Sequence, residues 1–342
     1  MKTMIELDGS EGEGGGQILR TALGLAASTG QAFRIEGIRA TRSRPGLAAQ
    51  HLAAVQCAGK LCDARMEGAI LGSQTLVFEP RKAPSGDHVV HVGTAGSATL
   101  VLQAGFLASA RAEGQVRLEV HGGTDVPLSP PASYYLLVLI PLLCRMGLNM
   151  RMDLVQRGFY PEGGGMVVAT VSAPPSVDPL DLRARGSLRE VGGVAFSRNL
   201  PEHVARRMAS ECRRRLVDVP TVRIELDQGD GPSTGAGMVL AARSENGLVG
   251  ASYLGERGVS AERVAELAVQ GLRAELAASL DAHAADQLLP FMALASGPSH
   301  FTVRAVSDHL RTQMSTVASF LPVSFEENGA GPVSVSVLPN RT

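Results

Sequence analysis

The order of predicted strands and helices repeats along the chain, and this repetition restricts the folds that the chain can adopt. An apolar strand over residues 3–7 leads through a glycine-rich turn into a helix over about 16–29, and a strand, a helix and two more strands follow. The same order starts again at His88, at an offset of roughly 85 residues, which is longer than the period of a solenoid repeat. The first half therefore predicts two copies of a βαβαββ unit.

A third copy is predicted from two separated parts of the chain. Its first strand would lie near residues 190–197, and the rest follows after a gap of about ninety residues, which is enough for a small domain. The predicted elements after the gap are a helix over 283–295, a strand over 301–304, a helix over 308–320 and strands over 323–326 and 333–337.

The residues in the gap carry a pattern of their own. They contain an arginine-rich helix over 201–216, strands near 221–226, 237–243 and 247–254, and a long helix over 260–280 that Ser260 would cap. We therefore predict an α/β (α+β) fold. Its large domain of three repeats would comprise residues 1–183 and 277–342, with a smaller α/β domain inserted at residues 184–276.

Composition narrows the chemistry that is open to this chain. The net charge is −1, so a nucleic acid would have to meet a local basic patch. Only three lysines occur, Lys2, Lys60 and Lys82, so phosphate binding would depend on arginine. The four cysteines form no CxxC pair, which is typical of a reducing cytoplasm, and no apolar stretch is long enough to cross a bilayer. We expect a cytoplasmic protein without a membrane span.

The first glycine-rich turn, within DGSEGEGGGQILRTAL at residues 8–23, is the most informative local motif. Glycines allow backbone N–H groups to approach a ligand at the start of the following helix. The lysine of a Walker A loop is missing, and Glu11 and Glu13 would repel a bare phosphate. A divalent metal between carboxylate and phosphate would resolve that repulsion. A strained turn with solvated glutamates is the alternative reading.

A histidine near the C-terminal end is a candidate nucleophile. Ser307 is a plausible N-cap, which puts His309 in the first turn of a helix. The helix dipole there disfavours the charged imidazolium, and a neutral ring nitrogen can attack phosphorus. A histidine that is simply packed or solvated at a helix start remains the alternative.

Arginines and acids supply further candidates. Arg39, Arg42 and Arg44 precede Gln50 and His51, and such closely spaced guanidinium groups suit a phosphate, although a solvated basic loop is the commoner outcome. The arginines of the 201–216 helix spread around it, which favours a solvated surface over RNA contact. Weaker candidates are metal or hydroxyl partners at Asp125, Glu162 and Asp286, and base-stacking groups at Pro130, Pro131, Phe159 and Tyr160.

Taken together, these segments resemble the RNA 3′-terminal phosphate cyclase family along essentially the whole chain. The motifs that carry the resemblance are EGEGGGQILR (11–20), RPGLAAQH (44–51), GSATLVLQ (96–103), GGTD (122–125), GFYPEGGG (158–165), ADQLLPFMALA (285–295) and the FTV…HL run that ends at His309 and Leu310. So many motifs in one order are more specific than any one of them.

The resemblance implies both a fold and a reaction. The three repeats would be akin to those of enolpyruvyl transferases, and the insert would have a thioredoxin-like topology. His309 would attack the α-phosphate of ATP and form a covalent histidine–AMP. AMP would then pass to an RNA 3′-phosphate, and the neighbouring 2′-hydroxyl would close a 2′,3′-cyclic phosphate.

The resemblance also assigns roles to further residues, and it leaves the oligomeric state open. Glu13 would contact a divalent metal, Mg²⁺ or Mn²⁺, and His283 stands where a tyrosine that stacks on adenine is expected. The implied ATP contacts are Gln103, His283, Ala284, Ala285, Asp286 and Gln287, and the implied phosphate-handling residues are Arg20, Arg42 and Gln50.

Two rival functions make different predictions. An enolpyruvyl-type transferase would lack the inserted domain and would need lysines that this chain scarcely has. A non-enzymatic cyclase-like factor would lack the histidine at position 309, which is present.

Overall fold

Strands and helices of the first two predicted copies form close to the expected positions in the computed structural model, which describes residues 4–12 and 15–340. The first copy contains β1 (Ile5–Asp8), α1 (Gln17–Thr29), β2 (Phe33–Glu36), α2 (Ala49–Cys62), β3 (Arg65–Glu67) and β4 (Leu76–Glu79). The second contains β5 (Gly86–His91), α3 (Ala98–Ala108), a 3₁₀ turn (Ser109–Arg111), β6 (Gln115–Gly122), α4 (Ala132–Tyr134), a π-helical stretch (Tyr135–Leu139), α5 (Ile140–Arg145), β7 (Asn149–Gln156) and β8 (Gly165–Ser172).

The two predicted copies build sheets of the same strand order. The sheets run β1-β2-β4-β3 and β5-β6-β8-β7, and in each the first two strands are parallel while the other neighbours are antiparallel. Strict alternation of buried and more exposed residues along β6 and β8 shows why these segments become strands with one face on the core.

Next along the chain comes a self-contained group of elements, which we call the β9–α7 unit. It contains β9 (Leu188–Arg198), α6 (His203–Arg215), β10 (Val222–Gly229), β11 (Gly235–Ser244), β12 (Leu248–Leu254) and α7 (Ala261–Glu275). Its sheet has the order β10-β9-β11-β12, with β9 and β10 parallel. A second hydrophobic cluster lies between this sheet and the helices α6 and α7, and the other sheet face packs on the main core through Val194, Phe196 and Val239.

The strand predicted near residues 190–197 was assigned to the wrong sheet. It is β9, which pairs with β10 and β11 rather than with the third copy. The segment that runs parallel to residues 295–300 is instead the proline-containing segment 177–182, where the Leu182 N–H donates to the His300 carbonyl at 2.6 Å. Because this segment contains proline and makes few backbone hydrogen bonds with its neighbour, its sequence lacks the pattern of a β-strand.

The last elements are α8 (Ala282–Leu294), β13 (Ser299–Val303), α9 (Asp308–Phe320), β14 (Val323–Asn328) and β15 (Val333–Pro339). Their sheet has the order β13-β15-β14. Helix α1 is buried along nearly its whole length because α2, α3 and α9 surround it. This packing brings the first turn of α9 beside the first turn of α1. No helix in the described residues is both long and apolar enough to span a bilayer.

A histidine–glutamine candidate active site at the glycine turn

His309 lies in the first turn of α9, as the sequence predicts. The Ser307 hydroxyl accepts a hydrogen bond from the Leu310 N–H at 3.0 Å, which makes Ser307 the N-cap. The ring of His309 points to the start of α1, where its Nδ1 lies 2.6 Å from the Oε1 atom of Gln17. Gln17 directly follows the glycine turn, so the nucleophile candidate and the turn belong to one site.

Hydrogen bonds fix the orientation of the Gln17 amide. Its Nε2 donates to the His309 carbonyl at 3.1 Å and to the Gln313 Oε1 at 3.2 Å, and the Thr21 hydroxyl donates to the same Gln313 oxygen at 2.8 Å. With its nitrogen used in this way, Gln17 presents its oxygen to the imidazole. A neutral His309 therefore carries its hydrogen on Nδ1 and its lone pair on Nε2.

A second group of polar residues surrounds the start of α1. The Arg20 Nε donates to the Gln103 Oε1 at 2.8 Å. Burial lowers the pKa of Arg20 to about 10, so the guanidinium stays charged at neutral pH. A Cβ atom at Gly16 would lie 2.1 Å from the His51 Nε2 and 2.7 Å from an Arg20 nitrogen. Only glycine leaves room for both side chains to approach the turn so closely.

His51 is buried and uncharged in this site. Burial lowers its pKa to about 3, and the positive charges of Arg20 and Arg39 act in the same direction. The Ala48 N–H donates to its Nδ1 at 3.3 Å. His51 therefore supports the glycine turn and does not exchange protons near neutral pH.

The arginine loop approaches the glycine turn, and Gln50 approaches the start of the neighbouring helix α3. A Cβ atom at Gly15 would lie 3.7 Å from an Arg42 terminal nitrogen, so this guanidinium reaches the turn. The Gln50 Oε1 accepts the Ser97 N–H at 3.1 Å at the start of α3. Arg20 and Arg42 thus lie at the start of α1, and Gln50 lies at the start of α3, which packs on α1.

The predicted ATP contacts on α8 divide into two groups. Ala284 and Ala285 are fully buried in the core, whereas His283 is exposed and meets the ring of Tyr134 edge to face at 6.2 Å. Asp286 is partly buried, and Gln287 is 6% exposed. The Oε1 atom of Gln287 is buried without a hydrogen-bond partner among the described residues. An amide oxygen in that state is suited to a donor from a ligand.

The predicted metal contact, Glu13, lies outside the described residues. Beside that gap, Glu11 and Asp308 line a cavity of about 350 Å³ between the glycine turn and α9, and the Ser315 hydroxyl donates to Glu11 at 3.4 Å. Across residues 4–12 and 15–340, no three His, Cys, Asp or Glu side chains group as a metal site. The metal stays a prediction.

Asp125 is buried and paired with an arginine. The Arg157 Nη1 donates to its Oδ1 at 2.9 Å and the Thr124 hydroxyl donates to its Oδ2 at 2.8 Å. Burial raises the pKa of Asp125, although Arg157 acts in the opposite sense. Arg157 also bonds Asp227 of β10 at 2.7 Å and covers the ring of Phe196 at 3.8 Å. This group joins β7 to the β9–α7 unit.

The remaining candidate site residues lie either on the surface or in the core. Phe159 is buried against Phe196, Tyr160 is exposed, and Glu162 is exposed on the same turn. Four of the five α6 arginines form ion pairs with carboxylates, which supports the solvated-surface reading for them. The pairs are Arg206 with Glu202, Arg207 with Glu262, Arg214 with Glu211, and Arg215 with Glu211 and Glu266.

Sequence reasoning missed Gln17, Thr21 and Gln313. A signal for the first two existed, because they are polar residues four positions apart on the otherwise apolar face of α1. Gln313 could not be found in this way, since only the packing of α9 on α1 makes it their partner.

The fold and site define a class of mixed α/β protein. Its members hold a histidine nucleophile candidate at a helix start, beside a glycine turn and a partly buried arginine. A family model described as RNA 3′-terminal phosphate cyclase matches residues 11–326. The chain belongs to this family, and the resemblance predicted from its motifs is confirmed.

Individual relatives match nearly end to end. The RNA 3′-terminal phosphate cyclase of Methanopyrus kandleri is 46% identical over 98% of this chain and 99% of its own length. Those of Nitrosospira multiformis and Caldivirga maquilingensis are 44% and 43% identical, over 94% and 98% of this chain and 93% and 98% of their own lengths. A solved enolpyruvyl transferase, NikO from Streptomyces tendae, aligns with 99% of this chain and 83% of its own at a TM-score of 0.29 and 10% identity, too weak a likeness to support an inference.

Proposed function

We propose that this chain converts an RNA 3′-phosphate end into a 2′,3′-cyclic phosphate at the expense of ATP, through a covalent adenylate on His309. The observation that carries the proposal is the 2.6 Å hydrogen bond between the His309 Nδ1 and Gln17, because it leaves the nucleophilic lone pair on Nε2. Family membership supports the RNA substrate.

In the first step, the Nε2 lone pair attacks the α-phosphorus of ATP. A phosphorus–nitrogen bond forms as the bond to the bridging oxygen breaks, and pyrophosphate leaves with that electron pair. Gln17 accepts the Nδ1 hydrogen throughout and stabilises the positive charge that develops on the ring. The ring does not have to lose a proton before it attacks.

In the second and third steps, the RNA supplies both nucleophiles. An oxygen of its 3′-phosphate attacks the phosphorus of the adenylate, and the phosphorus–nitrogen bond breaks to restore His309. The 2′-hydroxyl then attacks the 3′-phosphorus, loses its proton and displaces AMP. Arg20 and Arg42 lie where guanidinium groups would neutralise these phosphates, which is the role that the scarcity of lysine leaves to arginine.

The nucleotide would lie between α3 and α8 in this proposal. The unpartnered Gln287 oxygen suits the exocyclic amine of adenine, and the exposed ring of His283 offers a face for stacking. The proposal includes Mg²⁺ or Mn²⁺ bound through Glu13, whose chemistry would be to neutralise charge on the pyrophosphate leaving group.

A self-labelling experiment tests the first step. The protein is incubated with α-labelled ATP and Mg²⁺ or Mn²⁺ and then denatured, and we expect an acid-labile, base-stable label that needs the divalent ion. His309→Asn should abolish the label. His203→Asn is the matched control, because His203 also begins a helix but is exposed, and its helix packs on α7 and the sheet of the β9–α7 unit. Label that persists in His309→Asn would remove His309 from this role, and a non-enzymatic factor would show none.

The RNA steps have their own readout. An RNA that ends in a 3′-phosphate should be cyclised, whereas the same RNA with a terminal 2′-deoxyribose should stop at the adenylated end. Cyclisation of the deoxy end would contradict the mechanism.

We infer three βαβαββ repeats in residues 1–183 and 277–342, and an inserted domain of thioredoxin-like topology at residues 184–276. The shared strand order of the first two sheets supports the repeats. The order β10-β9-β11-β12 and the separate hydrophobic cluster support the insert.

A further inference from the structure

A cavity of about 910 Å³ lies between the main core and the β9–α7 unit. One wall consists of the loop after β6 and the turn after β7, and the other of α6, β11, β12 and the start of α7. Its lining is mostly apolar, and its size is that of a typical small-molecule site. None of the residues assigned to ATP or to the phosphates lines it.

Apolar side chains are exposed at the rim of this cavity. Leu128 is fully exposed, Tyr160 is 66% exposed and Leu200 is 38% exposed. Leu128 also has a φ of 62°, a left-handed conformation that is unfavourable for a branched side chain. Exposed apolar surface and local backbone strain both cost free energy, and their coincidence at one cavity points to a ligand.

The backbone connects this rim directly to the proposed phosphate site. Gln50 accepts the Ser97 N–H, Ser97 pairs with Gly123, and Asp125 two residues later pairs with Phe159. Ser97 and Phe159 are thus separated by two strand spacings and, along the chain, by the two residues from Gly123 to Asp125, which together correspond to about 12 Å. That span equals about three to four stacked nucleotides at about 3.4 Å each.

We propose that the cavity binds a nucleobase of the RNA strand, a few nucleotides before the reacting 3′ end. The base would stack on Tyr160 beside Leu128, and Arg257, which also lines the cavity, would face a backbone phosphate. The identity of the ligand as RNA rests on the proposed function. RNA is favoured over a protein partner because the rim is continuous with the site that would hold the RNA end.

Substrate length provides the test. For Tyr160→Ala, the KM for a 3′-phosphorylated hexanucleotide should rise by about 10- to 100-fold, while the KM for a 3′-phosphorylated dinucleotide, too short to reach the cavity, should change little. Tyr160→Phe keeps the ring and should restore most of the affinity. Val217→Ala, at an 82% exposed residue that does not line the cavity, is the matched surface control.

A second variant covers the case in which Tyr160→Ala perturbs the turn. Leu128→Asn removes the apolar side chain but keeps a residue that tolerates positive φ, so it should fold and should also raise the hexanucleotide KM. Equal changes for both RNA lengths, no change for either, or a parallel fall in self-labelling from ATP alone would overturn the proposal. Fluorescence anisotropy of a labelled 3′-hydroxyl hexanucleotide separates failure of the cavity proposal from failure of the proposed cyclisation reaction. Weaker binding of this RNA to Tyr160→Ala supports base binding in the cavity even if no RNA is cyclised.

Discussion

At the scale of single residues, the site depends on contacts between side chains that the sequence separates widely. The sequence predicted the position of His309 because a serine N-cap is a local signal. It could not predict the partner of the ring, because the approach of Gln17 depends on the packing of α9 against α1. Local chemistry was therefore predictable, whereas the choice of ring tautomer required the structure.

Gln17 is expected to position the nucleophile. Gln17→Met removes the acceptor for the Nδ1 hydrogen, and the rate of self-labelling should fall by roughly 10- to 100-fold, as for other partners of functional histidines. Gln17→Glu supplies a carboxylate that favours the protonated ring, so the acidic limb of the pH–rate profile should move to higher pH. The measurement is the initial rate of labelling from pH 5 to 9.

A purely structural role for Gln17 predicts another result. Both variants would then lower the rate by the same factor at every pH, with no movement of the acidic limb. The ¹⁵N shifts of the imidazole provide an independent control, since wild type should show hydrogen on Nδ1 and Gln17→Met a mixture of tautomers.

At the scale of elements, periodicity predicted most helices and strands but not how the strands pair. The segment of β9 has the composition of a buried strand, and the sequence pattern cannot tell which sheet such a strand joins. The sheet that β9 joins is determined by its pairing with the parallel strand β10, to which the chain returns through helix α6. The long helix predicted over 260–280 ends earlier, at Glu275.

Two glycine-to-alanine substitutions in helices should have opposite effects on stability, because only one of the two glycines lies at a tight contact between helices. A Cβ atom at Gly24 in α1 would lie 2.7 Å from side-chain atoms of Leu107, so Gly24→Ala should lower the free energy of unfolding by about 1–3 kcal/mol. In α7, the nearest atom to a Cβ at Gly271 is 3.4 Å away, so Gly271→Ala should raise it by about 0.5–1 kcal/mol through helix propensity. Urea unfolding of both variants measures the difference. Stabilisation by Gly24→Ala would show that α3 can shift away from α1.

At the scale of the whole molecule, a buried arginine after β7 connects the second sheet to the β9–α7 unit. The Arg157 side chain is 2% exposed and bonds Asp125 on one side and Asp227 on the other. Burial would raise the pKa of Asp227, but Arg157 and Arg198 outweigh it and hold that pKa below its ordinary value. The sequence offered Asp125 only as a ligand, because its partners lie on separate segments that packing brings together.

Loss of Arg157 should therefore cost far more than loss of a surface arginine. Arg157→Met leaves the buried Asp125 carboxylate without its counter-charge and should lower the free energy of unfolding by about 3–5 kcal/mol. Adding Asp125→Asn to that variant should recover part of the loss. Arg183→Met is the control, because its ion pair with Asp181 is exposed and little change is expected. Similar denaturation midpoints for the two single variants would contradict the prediction that the ion pairs of Arg157 stabilise the fold.

The separation of 292 residues between Gln17 and His309 has a consequence for synthesis of the protein. A growing polypeptide that has not yet produced its last helix cannot orient the imidazole, however well its earlier parts have folded. Under the proposed mechanism, adenylate formation would be confined to molecules in which both distant segments have docked, so unfinished or truncated products would not consume nucleotide.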